Sequence, residues 1–193
     1  MNAVSMRADA RRNRLTILAA AESVFAEEGA GVPVDEVARR AGVGVGTLYR
    51  HFPTKEALFE AVIVNHMERI RDEALRMADS DDPGSALFEF LALLAREGAA
   101  KRNLVDALSG AGISIKDAAA ETKAELEEAA GRLLTRAQES GQVRADVTLA
   151  ELVGLVMGAC TAGEGGGGSP TGCSSARMIA VVCDGLRAVA EPR

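Results

Sequence analysis

Apolar positions recur along this chain at intervals of three and four residues, the period of helices that bury one face. Between about Asp9 and Glu28 the stripe is Ile17, Leu18, Ala21, Val24 and Phe25, and Gly29 stands where a helix ends. Val34, Val37, Ala38 and Ala41 mark a short second helix, and Gly42 follows as a residue that turns the chain at positive φ without cost. Val43 plugs the corner, and a third helix, from Val45 to about His51, turns Leu48 inward. Pro53 stops that helix and Thr54 caps the next, which runs from Lys55 to about Ala78. Its buried side reads Leu58, Val62, Met67, Ile70, Ala74 and Met77, and at 1.5 Å per residue it is about 36 Å long.

Asp79 to Gly84 breaks the pattern, with Asp82 and Pro83 as cap and first helical residue of a fifth helix bearing Leu87, Phe90, Leu91 and Leu94. Gly98 to Arg102 weakens this helix, so a separate short helix is expected over Asn103 to Leu108 and a loop over Ser109 to Gly112. From about Asp117 to Ser140, Leu126, Ala130, Leu133, Leu134 and Ala137 face inward and Gly141 terminates. Thr148 and Glu151 form a capping box before a stripe of Leu149, Leu152, Val153, Val156, Met157 and Cys160. Residues 165–173 belong to a Gly-rich stretch expected to be a flexible loop. No Gly-Lys-Ser/Thr follows it, so it lacks the signature of a phosphate cradle. The last helix, about Ser175 to Val189, is apolar almost all round: Met178, Ile179, Val181, Val182, Leu186 and Val189. The pattern predicts an all-α protein of about nine helices.

Composition narrows this picture. The chain has 193 residues and is 48% hydrophobic, enough for one or two domains with real cores. No apolar run approaches the roughly eighteen residues that span a bilayer, so no membrane partner is expected. The arginines at the start precede no apolar segment with a cleavage site, so no secretory signal is read. The three cysteines, Cys160, Cys173 and Cys183, have no C-x-x-C spacing. That fits neither a disulfide framework nor a zinc site, and suits a reducing cytoplasm. Charge is uneven: residues 1–55 carry eight bases against six acids, while the whole chain is at −6. Residues 1–8 read as a loose arm whose arginines either follow phosphates or are simply solvated. With two histidines, no paired catalytic motif and no metal spacing, neither an enzyme nor a cofactor or metal site is expected.

Two short helices joined at a glycine form a helix-turn-helix. The second exposes Thr47, Tyr49, Arg50 and His51, whose donors and cation suit phosphate oxygens and base edges. Val45 and Thr47, at its start, are placed to meet a thymine methyl and a base or phosphate. Arg50 either reads a guanine or lies over the backbone. Gly44 and Gly46 allow close approach while leaving few side chains for base readout. Lys55 lies at a helix N-terminus, where backbone N–H groups help to hold an anion.

The run AGVGVGTLYRHFPTKEALF, Ala41 to Phe59, closely resembles the DNA-binding signature of the TetR family of bacterial transcriptional regulators, with Tyr49, His51, Phe52, Lys55 and Glu56 at the specific spacings. In detail the likeness covers about the first sixty residues. It implies phosphate contacts by Tyr49, His51 and Lys55. It also implies a three-helix DNA-binding head over residues 9–54 and a ligand-binding and dimerisation body over residues 55–193, with the long helix after Thr54 joining them. Pro33 departs from the family, many of whose members carry Thr or Ser there, and removes a capping or phosphate-binding hydroxyl.

The last two helices carry more apolar surface than one chain can cover, which predicts a homodimer through them. Two heads on a two-fold axis then read a near-palindromic operator in double-stranded DNA. The family resemblance implies a small-molecule effector, identity unknown, that binds inside the body and releases DNA. Candidate lining residues are His66, Met67, Phe88, Phe90, Leu91, Leu108, Met157 and Cys160, with His66 the best polar anchor. The expected function is a cytoplasmic, nucleoid-associated regulator, most readily a repressor. The alternatives are a transcriptional activator and a helical small-molecule binding protein without a DNA role.

Overall fold

The computed structural model describes residues 3–29, 31–110, 118–163 and 175–188, with side chains over 9–29, 31–97, 119–159 and 176–188. Among these residues there are eight helices: α1 (Ala3–Glu28), α2 (Val34–Ala41), α3 (Val45–His51), α4 (Lys55–Ala78), α5 (Pro83–Gly110), α6 (Ala118–Glu139), α7 (Leu149–Gly163) and α8 (Ser175–Leu186). The helical class is as predicted; the count is one lower because α5 runs unbroken through Gly98–Arg102, where a break and a separate short helix were expected. A mid-helix glycine costs about 1 kcal/mol relative to alanine, too little to stop a helix of this length. The start also differs: α1 begins at Ala3, so the backbone of residues 3–8 is helical rather than a loose arm. The Gly-rich loop at 165–173, the side chains of Leu108 and Cys160, and Val189 lie outside the described residues.

The chain divides into two compact units, residues 1–66 with 101–120 and residues 67–100 with 121–193. In the first, Ile17, Leu18, Ala21, Val24 and Phe25 of α1 are all fully buried, as their spacing predicted. They share that burial with Val37, Ala38, Leu48, Phe52, Leu58, Phe59 and Val62. Phe25 and Phe59 stack with ring centroids 4.1 Å apart, locking α1 against the start of α4.

In the second unit the core is built from Ala74, Leu87, Phe90, Leu91, Leu133, Leu134, Ala137, Leu152, Val156, Ile179 and Leu186, with Phe88, Leu94, Leu126, Leu149 and Met178 partly buried around it. The predicted caps are in place. Ser85 N–H donates to Asp82 Oδ1 (3.2 Å) at the start of α5. Thr148 N–H donates to Glu151 Oε2 (2.8 Å) and Glu151 N–H returns to Thr148 Oγ1 (3.3 Å) at the start of α7. Gln142 ties the turn after α6 to α5: its Oε1 accepts from Gly84 N–H (2.8 Å) and its Nε2 donates to Asp82 Oδ1 (2.8 Å). A Cβ on Gly84 would lie 2.7 Å from the Gln142 Cβ, so glycine is what lets this contact close.

Two findings were outside the periodicity. Helix α8 stops at Leu186 rather than near Val189, because Arg187 forms an isolated antiparallel bridge with Val143. Arg144 N–H donates to the Leu186 carbonyl (3.0 Å) and Ala188 N–H to the Gln142 carbonyl (3.1 Å). On α7, the expected single stripe splits: Leu152 and Val156 are buried, whereas Val153 and Met157 are 42% and 50% exposed; outside that stripe, Ala159 is buried and Leu155 is 49% exposed.

Candidate nucleic-acid interface

The corner between α2 and α3 is made by Gly42, at φ 66° and ψ 28°. Its N–H donates to the Arg39 carbonyl (3.2 Å) and Val43 N–H donates to that of Ala38 (3.0 Å), the paired closure of a Schellman turn. A side chain with a Cβ is strained at that φ, which gives Gly42 its place. The next helix starts at Gly44, whose carbonyl accepts from Thr47 N–H (2.8 Å) and Leu48 N–H (3.1 Å). It ends at Phe52, whose N–H donates to the Leu48 carbonyl (2.8 Å) before the chain extends at φ −136° ahead of Pro53. Neither α2 nor α3 has a side-chain cap, so Pro33 does leave the hydroxyl position empty.

Helix α3 is held by one buried side chain, Leu48, and turns the rest outward. Val45 and Tyr49, one turn apart, are 38% and 44% exposed. Arg50, Gly44 and Gly46 are exposed, and Thr47 and His51 are half-buried. The predicted set therefore comes together on one short helix and its leading turn. Lys55 stands apart in its bonding: its Nζ donates to the Val32 carbonyl (2.6 Å) and lies 5.8 Å from the centre of the Phe59 ring. Thr54 Oγ1 accepts from Ala57 N–H (3.1 Å), the cap expected of it.

The other cations of α2 are committed to carboxylates. Arg39 bonds Glu36 (2.7 and 2.6 Å), and Arg40 reaches Glu27 (2.5 Å), Glu28 (2.6 Å) and Glu36 (3.3 Å). The hydrogen bond from Arg39, aided by Arg40, holds the Glu36 carboxyl down at about 2, far below its ordinary 4.5. The Arg40 pairs with Glu27 and Glu28 weld α2 to the end of α1, and together the pairs take both arginines out of service as free cations.

The predicted effector residues scatter. His66 is buried and its Nδ1 lies 3.0 Å from Glu22 Oε1. Met67, Phe90 and Leu91 are buried, Phe88 lies under the Arg187 guanidinium at 4.7 Å, and Met157 faces outward, half exposed. None of them lines either of two cavities in the body. One is a groove of about 940 Å³ along α7 and α8, bordered by Gly154, Leu155, Gly158, Met178, Val181 and Val182. The other holds about 210 Å³ and is lined by Ala92, Ala95, Arg96, Ala176 and Ile179. Sequence periodicity could not find these, because small and apolar residues that line a gap look like those that fill one. Cys183 is half-buried, and burial pushes its thiol pKa up.

Comparison with known proteins agrees with this geometry. Residues 17–62 match the family model for bacterial regulatory proteins of the tetR family, and residues 82–188 match that for the C-terminal domain of SbtR-like transcriptional regulators. The chain belongs to the TetR family of bacterial transcriptional regulators. A TetR transcription regulatory protein from Mycobacterium vanbaalenii is 44% identical, with a TM-score of 0.78 over 94% of this chain and 99% of that one. The TetR regulator SCO0520 from Streptomyces coelicolor is 32% identical, also at 0.78, over 92% of this chain and 99% of its own. An HTH-type transcriptional regulator from Staphylococcus aureus is 38% identical over 76 residues, which span 35% of this chain and 41% of that protein. As a TetR-family member the chain is a DNA-binding transcriptional regulator and not an enzyme. TetR regulators bind DNA and act as dimers. No helix among the described residues is long and apolar enough to cross a membrane.

Proposed function

We propose that this TetR-family chain is a homodimeric, ligand-responsive repressor that sets two copies of α3 into successive major grooves of a near-palindromic operator. The observation that carries the reading is the outward face of α3. A helix with only Leu48 buried spends its other side chains on solvent, or on a groove. Val45 and Thr47 meet base edges at its start, with Gly44 letting the backbone close in. Tyr49 and His51 bind phosphate oxygens, and Arg50 reads a guanine or braces the backbone. Lys55 keeps two of its three donors for phosphate while the third holds Val32.

The dimer forms through α7 and α8. Leu155 and Val181, 49% and 56% exposed, border the 940 Å³ groove, and Val153 and Met157 add exposed aliphatic side chains elsewhere on α7. A second copy of the same pair of helices covers them and fills the groove. Gly154 and Gly158 favour this, since a Cβ at either would meet nothing within 4 Å and a partner helix can approach closely. The effector acts in the body. The cavity of about 210 Å³ at Ile179 is below the roughly 300–1,000 Å³ of ordinary ligand sites, so an effector there is small or opens the space as it binds. The protein works in the cytoplasm, at the nucleoid.

A mobility shift on the DNA upstream of its own coding region tests the reading. Two chains per site and half-sites about one helical turn apart are expected. Retention of a single chain on DNA of any sequence with equal affinity would sink it. Thermal-shift screening against metabolites then identifies the effector, whose binding raises the melting temperature by mass action.

A further inference from the structure

The cations of the head fall into two groups. Arg39 and Arg40 are bound by Glu36, Glu27 and Glu28, and Arg12 lies 4.0 Å from Asp9. Arg14, by contrast, pairs with no carboxylate among the described residues. Its guanidinium carbon sits 5.1 Å from the centre of the Phe52 ring, and the side chain is exposed. Phe52 is the residue on which α3 ends, and the His51 ring lies 6.3 Å from its own. Packing on a buried aromatic therefore parks a permanent positive charge, carried by α1, at the C-terminal end of the DNA-facing helix. Arg11, three residues earlier, is on the same side of α1 and is also exposed. Two like charges at that spacing weaken a helix unless an anion lies across them.

We infer that Arg14, with Arg11 behind it, is a DNA-backbone contact: α1 grips phosphates beside the stretch held by Tyr49 and His51. Phe52 orients the guanidinium so that little side-chain freedom is lost on binding. The inference rests on the DNA-binding reading above, and it extends the interface from α3 to a second helix. Because a guanidinium on phosphate carries no base information, the contact adds affinity equally to all sequences.

The test is the slope of log affinity against log salt for the full-length dimer on its operator and on an unrelated duplex. Each dimer loses one such contact per protomer, so Arg14→Ala is expected to reduce the slope by about 1.8 and Arg11→Ala/Arg14→Ala by about 3.6, on both DNAs. The advantage of the unsubstituted protein over Arg14→Ala then shrinks about 12-fold between 50 and 200 mM salt. Arg14→Lys, which keeps the charge, should restore the slope. Arg132→Ala, removing an exposed arginine of α6, should leave it unchanged. If Arg14→Ala melts like the unsubstituted protein and keeps its slope, Arg14 is a surface residue and the inference is overturned. If Arg14→Ala lowers the melting temperature and Arg14→Lys keeps that loss with the full slope in both, the arginine only braces Phe52, and the inference is again overturned. Failure of the underlying reading looks different: Tyr49→Ala would also leave affinity for every DNA untouched.

Discussion

Among the described residues, helix α3 and the α7–α8 pair both leave side chains exposed, and they do so in opposite ways. Outward from Leu48, α3 offers a hydroxyl, a phenol, a guanidinium and an imidazole, with glycines between them. Outward from Leu152 and Val156, α7 offers Val153, Leu155 and Met157, and α8 adds Val181. A surface of donors and cations loses little by meeting water and gains when phosphates replace it. A surface of aliphatic side chains gains only when water is removed, at about 25 cal/mol per Å². The contrast separates the two partners: nucleic acid for the first face, a second copy of the chain for the second.

The comparison breaks most visibly on the aliphatic side. Leu155→Asp puts a charge where the partner's helices are to pack, and should convert the dimer to monomer by light scattering. Operator affinity should fall about 100-fold or more, since each head then binds alone, while helix content stays the same. A dimer that persists with full affinity would place the interface elsewhere. Leu48→Ala acts next most strongly. Removing the one side chain that anchors α3 should cost about 2–5 kcal/mol in the head. Denaturant unfolding would show an early transition there, while the protein elutes as a dimer still.

Tyr49→Ala leaves both the fold and the dimer alone and removes one phosphate contact. Affinity should drop about tenfold near physiological salt on any DNA, with the log–log slope unchanged because a phenol carries no charge to exchange for counterions. The smallest effect is in the α1–α2 weld. Glu36 is held at about 2, chiefly by Arg39, against an ordinary 4.5. Its folded pKa is the lower one, so its contribution is present above about 4.5 and disappears as pH falls from there toward about 2. Glu36→Gln should flatten that acid limb in melting-temperature measurements without moving the neutral-pH dimer. An unchanged acid limb would mean the pairs that Glu36 makes with Arg39 and Arg40 contribute nothing to the fold.

Much of the architecture was legible because helices announce themselves locally. The stripe Ile17, Leu18, Ala21, Val24, Phe25 is buried residue for residue, and Thr54, Asp82 and Thr148 cap the helices they precede. The turn at Gly42 follows from the one residue type that takes its φ freely. What escaped was decided by partners distant in sequence. Nothing near Arg187 says that it will pair with Val143 and cut α8 short. The stripe on α7 looked single because six apolar residues fit one wide face; packing on Ile179 and Leu186 used only part of it. Nothing near His66 in sequence says that its Nδ1 will lie 3.0 Å from Glu22 Oε1, forty-four positions away.

By itself the sequence determined the helical class, the glycine corner, the caps and the chemistry that α3 shows to its surroundings. All of these depend on neighbours within about four positions, the reach of helix hydrogen bonds and side-chain spacing. The tertiary structure alone decided which cations remain free and which apolar residues remain bare. Arg40 became a weld because three carboxylates from two helices converge on it, and Arg14 stayed charged and exposed because the group beneath it is the ring of Phe52. Charge and hydrophobicity belong to residues, but whether either is satisfied within the chain depends on what the fold brings within a few ångströms.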